Sequence, residues 1–169
     1  MKDSPSLCIV DANILIDLHV GGLLQELFCL PFKLVAPDVI IAELDEPDGE
    51  MLVEYGLESG ELTGDQVSEV MALLARHRSV SANDLFALVL ARVQKATLLT
   101  GDRHLTEAAG QVGVATHGTL WVLDEMVRLG IVAREKAAQA LEQMLERGSR
   151  LPQAECQQRL RQYEQHRHY

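Results

Sequence analysis

Four acidic residues stand where apolar runs stop. Asp11 directly follows Leu7-Cys8-Ile9-Val10, and Asp102 follows Thr97-Leu98-Leu99-Thr100 with only Gly101 between. Glu43 lies early in a helical stretch after a second short apolar run, and Asp84 lies in the first turn of the most apolar helical stretch. Carboxylates gathered from such positions offer oxygen ligands alone, a donor set that selects Mg²⁺ or Mn²⁺ over zinc. Gathering them has a cost: two carboxylates ~5 Å apart repel by about 3 kcal/mol at an effective dielectric near 20. Such a cluster is strained or partly protonated until a hard divalent cation lies among its members. An ion of that kind activates a water and stabilises charge on a phosphoryl group under in-line attack.

Taken singly, each acid has a plainer reading. Asp11 can make a turn at a strand end, and Thr100-Gly101-Asp102 can be a tight turn. Glu43 can be an exposed helix residue. Ser81-Ala82-Asn83-Asp84 fits a capping box, with Ser81 as the cap and Asp84 at the third helical position. The combination favours a site, because turn chemistry alone does not require an acid after every buried element.

The elements that must position these acids follow from the apolar pattern. Leu7 to Val10 reads as a strand buried on both faces. Ile14, Leu15 and Leu18, then Leu23, Leu24, Leu27 and Phe28, recur at helical spacing around Gly21-Gly22. Lys33 to Ala36 is a second strand halted by Pro37, and Asp38 can cap the helix that starts at Val39. Pro47 and Gly49 are expected to end that helix, and Met51 to Glu61 to be a weak strand or loop. Gly64 to His77 places Val67, Val70, Met71 and Leu74 on one helical face, and Leu85 to Ala96 is the central helix. Beyond the Thr97–Thr100 strand come a short helix from Leu105 to Ala109, a strand at Val114-Ala115, and helices over Leu120 to Leu129 and Ala133 to Arg147. Strands alternating with helices imply an α/β fold with a mostly parallel sheet, and the carboxyl ends of such strands collect functional residues. The expected division is one domain over residues 1–151 and a C-terminal helix or disordered tail over 152–169.

Composition narrows the class. Apolar residues make up 47% of the chain, enough for a packed core, so disorder is excluded as the default. No apolar run reaches the ~18 residues of a membrane span, so the chain is expected to be cytoplasmic, with no membrane partner. Cys8, Cys29 and Cys156 are widely spaced and lack any CxxC pair, which argues against a disulfide frame or zinc site. A net charge of −10 argues at first against a nucleic-acid substrate. However, eleven of the 25 Asp and Glu lie between Asp38 and Glu69, where there is no Lys or Arg. The remaining fourteen acids face all fifteen bases, so the acidity is local.

At these residues the sequence resembles the PIN-domain family. The matching pieces are Val10-Asp11-Ala12-Asn13 with Leu15-Ile16-Asp17-Leu18, Ala36-Pro37-Asp38-Val39-Ile40-Ile41-Ala42-Glu43-Leu44, Ser81-Ala82-Asn83-Asp84, and Leu99-Thr100-Gly101-Asp102-Arg103-His104-Leu105. His117-Gly118-Thr119-Leu120-Trp121-Val122-Leu123-Asp124 is similar to a C-terminal piece of one PIN subgroup. The resemblance runs from Leu7 to Leu151, and the order of its motifs is more specific than any one of them. The acidic stretch from Glu46 to Asp65 matches no family motif.

The resemblance implies a three-layer α/β/α sandwich and an Mg²⁺- or Mn²⁺-dependent endoribonuclease. Asp11, Glu43, Asp84 and Asp102 would be its catalytic metal ligands, with Asn13 and Thr100 as supporting polar groups. The expected products carry 5′-phosphate and 3′-hydroxyl ends, since water and not the ribose 2′-OH attacks. The resemblance further implies a VapC-like toxin neutralised by an antitoxin protein, and it allows a homodimer. Arg103 is the expected phosphate contact on the RNA substrate, ahead of Arg76, Arg78, Arg92 and Lys95. Trp121 reads as core, His104 and His117 as structural residues near the rim, and His166 and His168 as a weak metal-binding tail or disordered end. The alternative readings are a catalytically weak PIN module that binds RNA or protein, and a metal-dependent DNA nuclease. A receiver domain also places Asp after a strand, but the paired acids and later Lys it needs are not evident.

Overall fold

Short apolar runs buried on both faces demand helices above and below the sheet they form. The computed structural model describes residues 5–165 and has that arrangement. In chain order the elements are β1 (Ser6–Val10), α1 (Ala12–Val20), α2 (Leu24–Leu27), β2 (Phe32–Pro37), α3 (Asp38–Glu43), α4 (Gly49–Tyr55), β3 (Glu58–Gly60) and α5 (Gly64–Arg76). They continue with α6 (Ala82–Gln94), β4 (Thr97–Leu99), α7 (Arg103–Gln111), β5 (Thr116–His117), α8 (Thr119–Arg128), α9 (Arg134–Glu146) and α10 (Gln153–Glu164). All strand pairings are parallel, in the order β3-β2-β1-β4-β5.

The two-residue period of the strands divides the interior in two. Cys8 and Val10 of β1, Leu34 and Ala36 of β2, and Leu99 of β4 join a core closed by α1, α2, α4, α8, α9 and α10. Ile9, Val35 and Leu98 point the other way, into a core closed by α3, α5, α6 and α7. The chain is thus an α/β/α sandwich. α6 has six buried residues and is the central helix of its layer, as its unbroken apolar pattern requires. No helix of the described residues is long and apolar enough to cross a membrane.

The sheet order fixes where a site can be. From β1 the chain moves outward to β2 and β3, then returns to the other side of β1 to lay down β4 and β5. The winding therefore reverses between β1 and β4, and the crevice beyond the carboxyl ends of these two strands is where open parallel sheets bind ligands.

Several local expectations are corrected. Gly49 does not end a helix but opens one, and the segment expected as a weak strand or loop from Met51 begins as α4, with only its second half a short strand, β3. The Asp48 carboxylate accepts from the Glu50 amide at 3.3 Å, and fully buried Leu52 anchors the new helix in the core. The last strand is Thr116–His117 rather than Val114-Ala115, because pairing with Leu98 and Leu99 sets its register. α7 starts at Arg103, two residues early, since Asp102 caps it. On α5 only Val70 is buried and Met71 is 55% exposed, so the apolar face expected there is narrower. Trp121 is half-buried, stacked between Phe32 and His117 with centroids 5.6 and 4.1 Å away.

Residues 153–164 form α10, which packs on α9 with Cys156 and Tyr163 buried. The Tyr163 hydroxyl donates to Asp124 at 2.7 Å, and the Arg159 guanidinium donates to the same carboxylate. His166 and His168 lie outside the described residues. The three cysteines are free, with Cys8 and Cys156 buried.

Gly49 offers a direct check on the corrected segment. A Cβ there would run into the Ile41 carbonyl, whereas a Cβ at Gly64 meets open space. Thermal unfolding should show Gly49→Ala destabilised by about 1–3 kcal/mol, with Gly64→Ala unchanged or slightly more stable. Equal melting temperatures for the two variants would contradict the packing of α4 on α3.

Candidate metal site at the sheet switch point

Asp11 ends β1 and occupies the N-cap position of α1. Its amide donates to the Leu99 carbonyl at 2.9 Å, which fastens it to β4. The carboxylate is fully buried, and the Thr100 hydroxyl donates to its Oδ2 at 2.8 Å. The Asp11 Oδ1 is also buried and has no hydrogen-bond partner. Thr100 in turn accepts from the Asp102 amide at 3.1 Å, so one hydroxyl joins the ends of both strands. Among the described residues the buried polar side chains are Asp11, Thr100 and Thr119, and all three follow the carboxyl ends of strands.

Asp84 approaches from the opposite layer. Ser81 caps α6 by accepting from the Asp84 amide at 3.2 Å, one half of the expected capping box. The Asp84 side chain makes no reciprocal bond and instead faces Asp11. Burial, the Asp84 charge and contact with its carboxyl push Asp11 up to about 7, against the smaller opposing pull of Thr100 and the Asn13 backbone. A buried acid with an orphaned oxygen and a like charge beside it is costly unless something positive is supplied.

The other two acids are near this pair but turned to other partners. Asp102 is half-buried and caps α7, its Oδ1 accepting from the Leu105 amide at 2.8 Å. Glu43 ends α3 in an exposed position and accepts from the amide group of Asn83, the neighbour of Asp84. The structure therefore places Asp11 against Asp84, links Asp102 to Asp11 through Thr100, and links Glu43 to the start of α6. Among the described residues, no three Asp, Glu, His or Cys side chains are arranged to hold a metal ion. The donor chemistry nonetheless fits a hard divalent cation: oxygen ligands only, an unpartnered buried oxygen, and a charge clash that a cation removes.

Asn13 is exposed and lines a cavity of about 600 Å³ together with Asp102, Arg103, His104 and the segment Arg147 to Arg150. A second cavity of about 300 Å³, lined by Thr100 and Trp121 among others, shares Gly101 and Arg150 with the first. Arg103 lines the larger cavity and pairs with Glu107 at 3.2 Å. Arg76, Arg78, Arg92 and Lys95 line neither cavity, and Arg92 pairs with Glu69. His117 is occupied by its stack on Trp121.

Asp17, in the motif Leu15-Ile16-Asp17-Leu18, also lines the larger cavity. Burial raises its pKa, while Ser149 and Thr119, the latter donating at 3.0 Å, bear on the carboxyl and pull it down. Arg147 and Arg150 were missed altogether. Their one signal was two arginines flanking the Gly148-Ser149 turn that ends a helix.

The Asp11 shift sets a sign for stability. Between the ordinary value of 3.8 and about 7 the native state binds more protons than the unfolded chain. Stability without divalent cations should therefore fall as pH rises across that window. Asp11→Asn should flatten this fall and, at pH 8 in EDTA, raise the melting temperature by several degrees, on the order of 2–4 °C per kcal/mol for a chain this size. Identical pH profiles for variant and wild type would contradict a buried, raised Asp11.

Comparison with known proteins places this geometry in a family. A model of the PIN domain family DUF3368 matches residues 7–165. No curated protein matches. Among solved structures the chain is similar to a PilT N-terminus domain protein from the hyperthermophilic archaeon Sulfolobus solfataricus P2, at 12% identity and a TM-score of 0.49, covering 70% of this chain and 91% of that one. It is also similar to VapBC2 from Rickettsia felis, solved bound to a DNA fragment from its promoter, at 15% identity and a TM-score of 0.44, covering 66% and 98%. The family match spans every element from β1 to α10, and the chain belongs to the PIN domain family.

Proposed function

We propose that the protein is an Mg²⁺- or Mn²⁺-dependent endoribonuclease whose metal is held by Asp11, Asp84, Asp102 and Glu43. The observation that carries this reading is the buried Asp11 carboxylate, one oxygen unpartnered, facing Asp84 at the switch point of the sheet. A bound divalent cation supplies the charge that activates a water and stabilises the phosphoryl group under in-line attack.

The protein's own residues prepare the site. Thr100 holds Asp11 Oδ2 and leaves Oδ1 available to the ion. The fixed ends of β1 and β4 keep Asp11 from turning away. Asp84, on the rigid start of α6, supplies the second charge. Asp102 and Glu43 would also hold the ion once released from their present partners, the Leu105 amide and Asn83. Arg103 and Asn13, which line the cavity with Asp102, would meet the substrate strand. A toxin-type role with a small antitoxin as inhibitor is the biological setting we propose, on the strength of family membership.

The test uses labelled RNA and single-stranded DNA with Mn²⁺ or EDTA. Wild type should cleave RNA in Mn²⁺ alone and leave 5′-phosphate ends. Asp11→Asn and Asp84→Asn should lose more than the roughly 10–100-fold that partners behind a metal ligand contribute. Thr100→Val should fall within that 10–100-fold range, and Thr100→Ser, which keeps the hydroxyl, should recover most of the activity. Cleavage that persists in EDTA or in Asp11→Asn would overturn the proposal. Cleavage of DNA in preference to RNA would keep the metal site and change the substrate.

A further inference from the structure

The charge around the larger cavity is unlike that of the chain as a whole. Arg103, Arg147 and Arg150 line it, with His104 beside them and Asp17 and Asp102 as its two acids, in a protein of net charge −10. Among the described residues neither Arg147 nor Arg150 has a carboxylate partner, and both are exposed. The one ion pair in this group, Arg103 with Glu107, is an exposed pair one helical turn apart, a kind that gives way readily to a better anion.

The turn that carries two of these arginines is built rather than loose. Gly148 has φ of +86°, which lets the chain reverse after α9, and the Ser149 amide donates to the Met144 carbonyl at 2.9 Å. The Ser149 side chain bears on the half-buried Asp17 carboxyl, itself bonded to Thr119. The turn is therefore tied to α1 and α8, and Arg147 and Arg150 are held at the cavity that also contains Asp102. Arg150 and Gly101 line both cavities, so the two adjoin there, with Asp102 lining the larger and Thr100 the smaller.

We infer that these adjoining cavities form a path that seats the phosphodiester backbone of a single strand, with Arg147 and Arg150 as its principal phosphate contacts and Arg103 beside Asp102. The inference rests on the nuclease reading for the chemistry beside it, but its cations and cavity stand without it. A volume of about 600 Å³ accommodates a short backbone segment. Guanidinium groups are suited to phosphate because their donors match its oxygens two at a time. Such contacts carry no base information, so the path gives affinity and direction and leaves sequence preference to other groups.

The experiment measures binding separately from cleavage. Fluorescence anisotropy follows a labelled single-stranded RNA, and a DNA of the same sequence, in EDTA over a series of salt concentrations. Compared are wild type, Arg147→Ala/Arg150→Ala, the charge-keeping Arg147→Lys/Arg150→Lys, and Arg76→Ala/Arg78→Ala as a control pair away from the path. The alanine double variant should bind at least about tenfold more weakly at low salt, with its log–log salt slope shallower by about 1.4, or 0.7 for each lost phosphate contact on a single strand. The lysine pair should restore the slope, the control pair should match wild type, and RNA and DNA should bind alike because the shared backbone is what is held. Wild-type affinity in the alanine variant, an equal loss in the control pair, or no binding by wild type would each overturn the path. Those results are distinguishable from failure of the nuclease reading, which is judged by Mn²⁺-dependent cleavage in wild type and Asp11→Asn.

Discussion

The placing of Asp84 against the buried Asp11 carboxylate is the constraint on which the candidate site depends. One carboxylate comes from the end of β1, the other from the first turn of α6, and the sheet's reversal between β1 and β4 leaves the crevice in which they meet. Nothing in the packing requires an acid there: the layers on both faces of the sheet are closed by Leu, Val, Ile and Ala. The local backbone is committed to the arrangement all the same. The Asp11 amide is bonded to Leu99, and the Thr100 hydroxyl is shared between Asp11 and Asp102. A strained group held so firmly by its surroundings is the usual mark of a functional site, where stability is given up for chemistry.

Electrostatics elsewhere fits this centre. The excess of negative charge belongs largely to residues 38–69, which form α3, α4, β3 and the start of α5. The 147–150 turn lines the same cavity as Asp102 and brings cations to it. That proximity suits a nuclease, since a phosphate must approach acids that by themselves would repel it. The overall charge of −10 conceals this local gradient.

How much of this could be read from the sequence depended on distance along the chain. Asp11, Asp84 and Asp102 stood out as candidates because each follows or opens an element with an unmistakable apolar pattern, such as Ile9-Val10 before Asp11 or Leu98-Leu99 before Asp102, whereas Glu43 is the last residue of α3. The alternation of strands and helices likewise gave the layered α/β architecture. The short pieces were harder. Gly49 looked like a terminator, yet the Asp48 cap and the buried Leu52 make it a helix start. The register of β5 comes from its partners in β4, which no local pattern contains. Asp17 and Thr119 are 102 positions apart, so the brace that holds the arginine turn was invisible until the chain was folded. The sequence also could not show that Asp102 and Glu43 have partners other than Asp11 and Asp84.

If Asp11 and Asp84 are two halves of a cation site, binding of the ion must displace the proton that burial and the Asp84 charge retain on Asp11. Calorimetric titration of Mn²⁺ near pH 6.5, in buffers of different ionisation heat, counts protons released as the ion binds. The account requires a proton release that approaches one per site at lower pH, declines toward pH 8.5, and disappears together with tight binding in Asp11→Asn. Mn²⁺ binding with no proton release, or with equal affinity in Asp11→Asn, would contradict it.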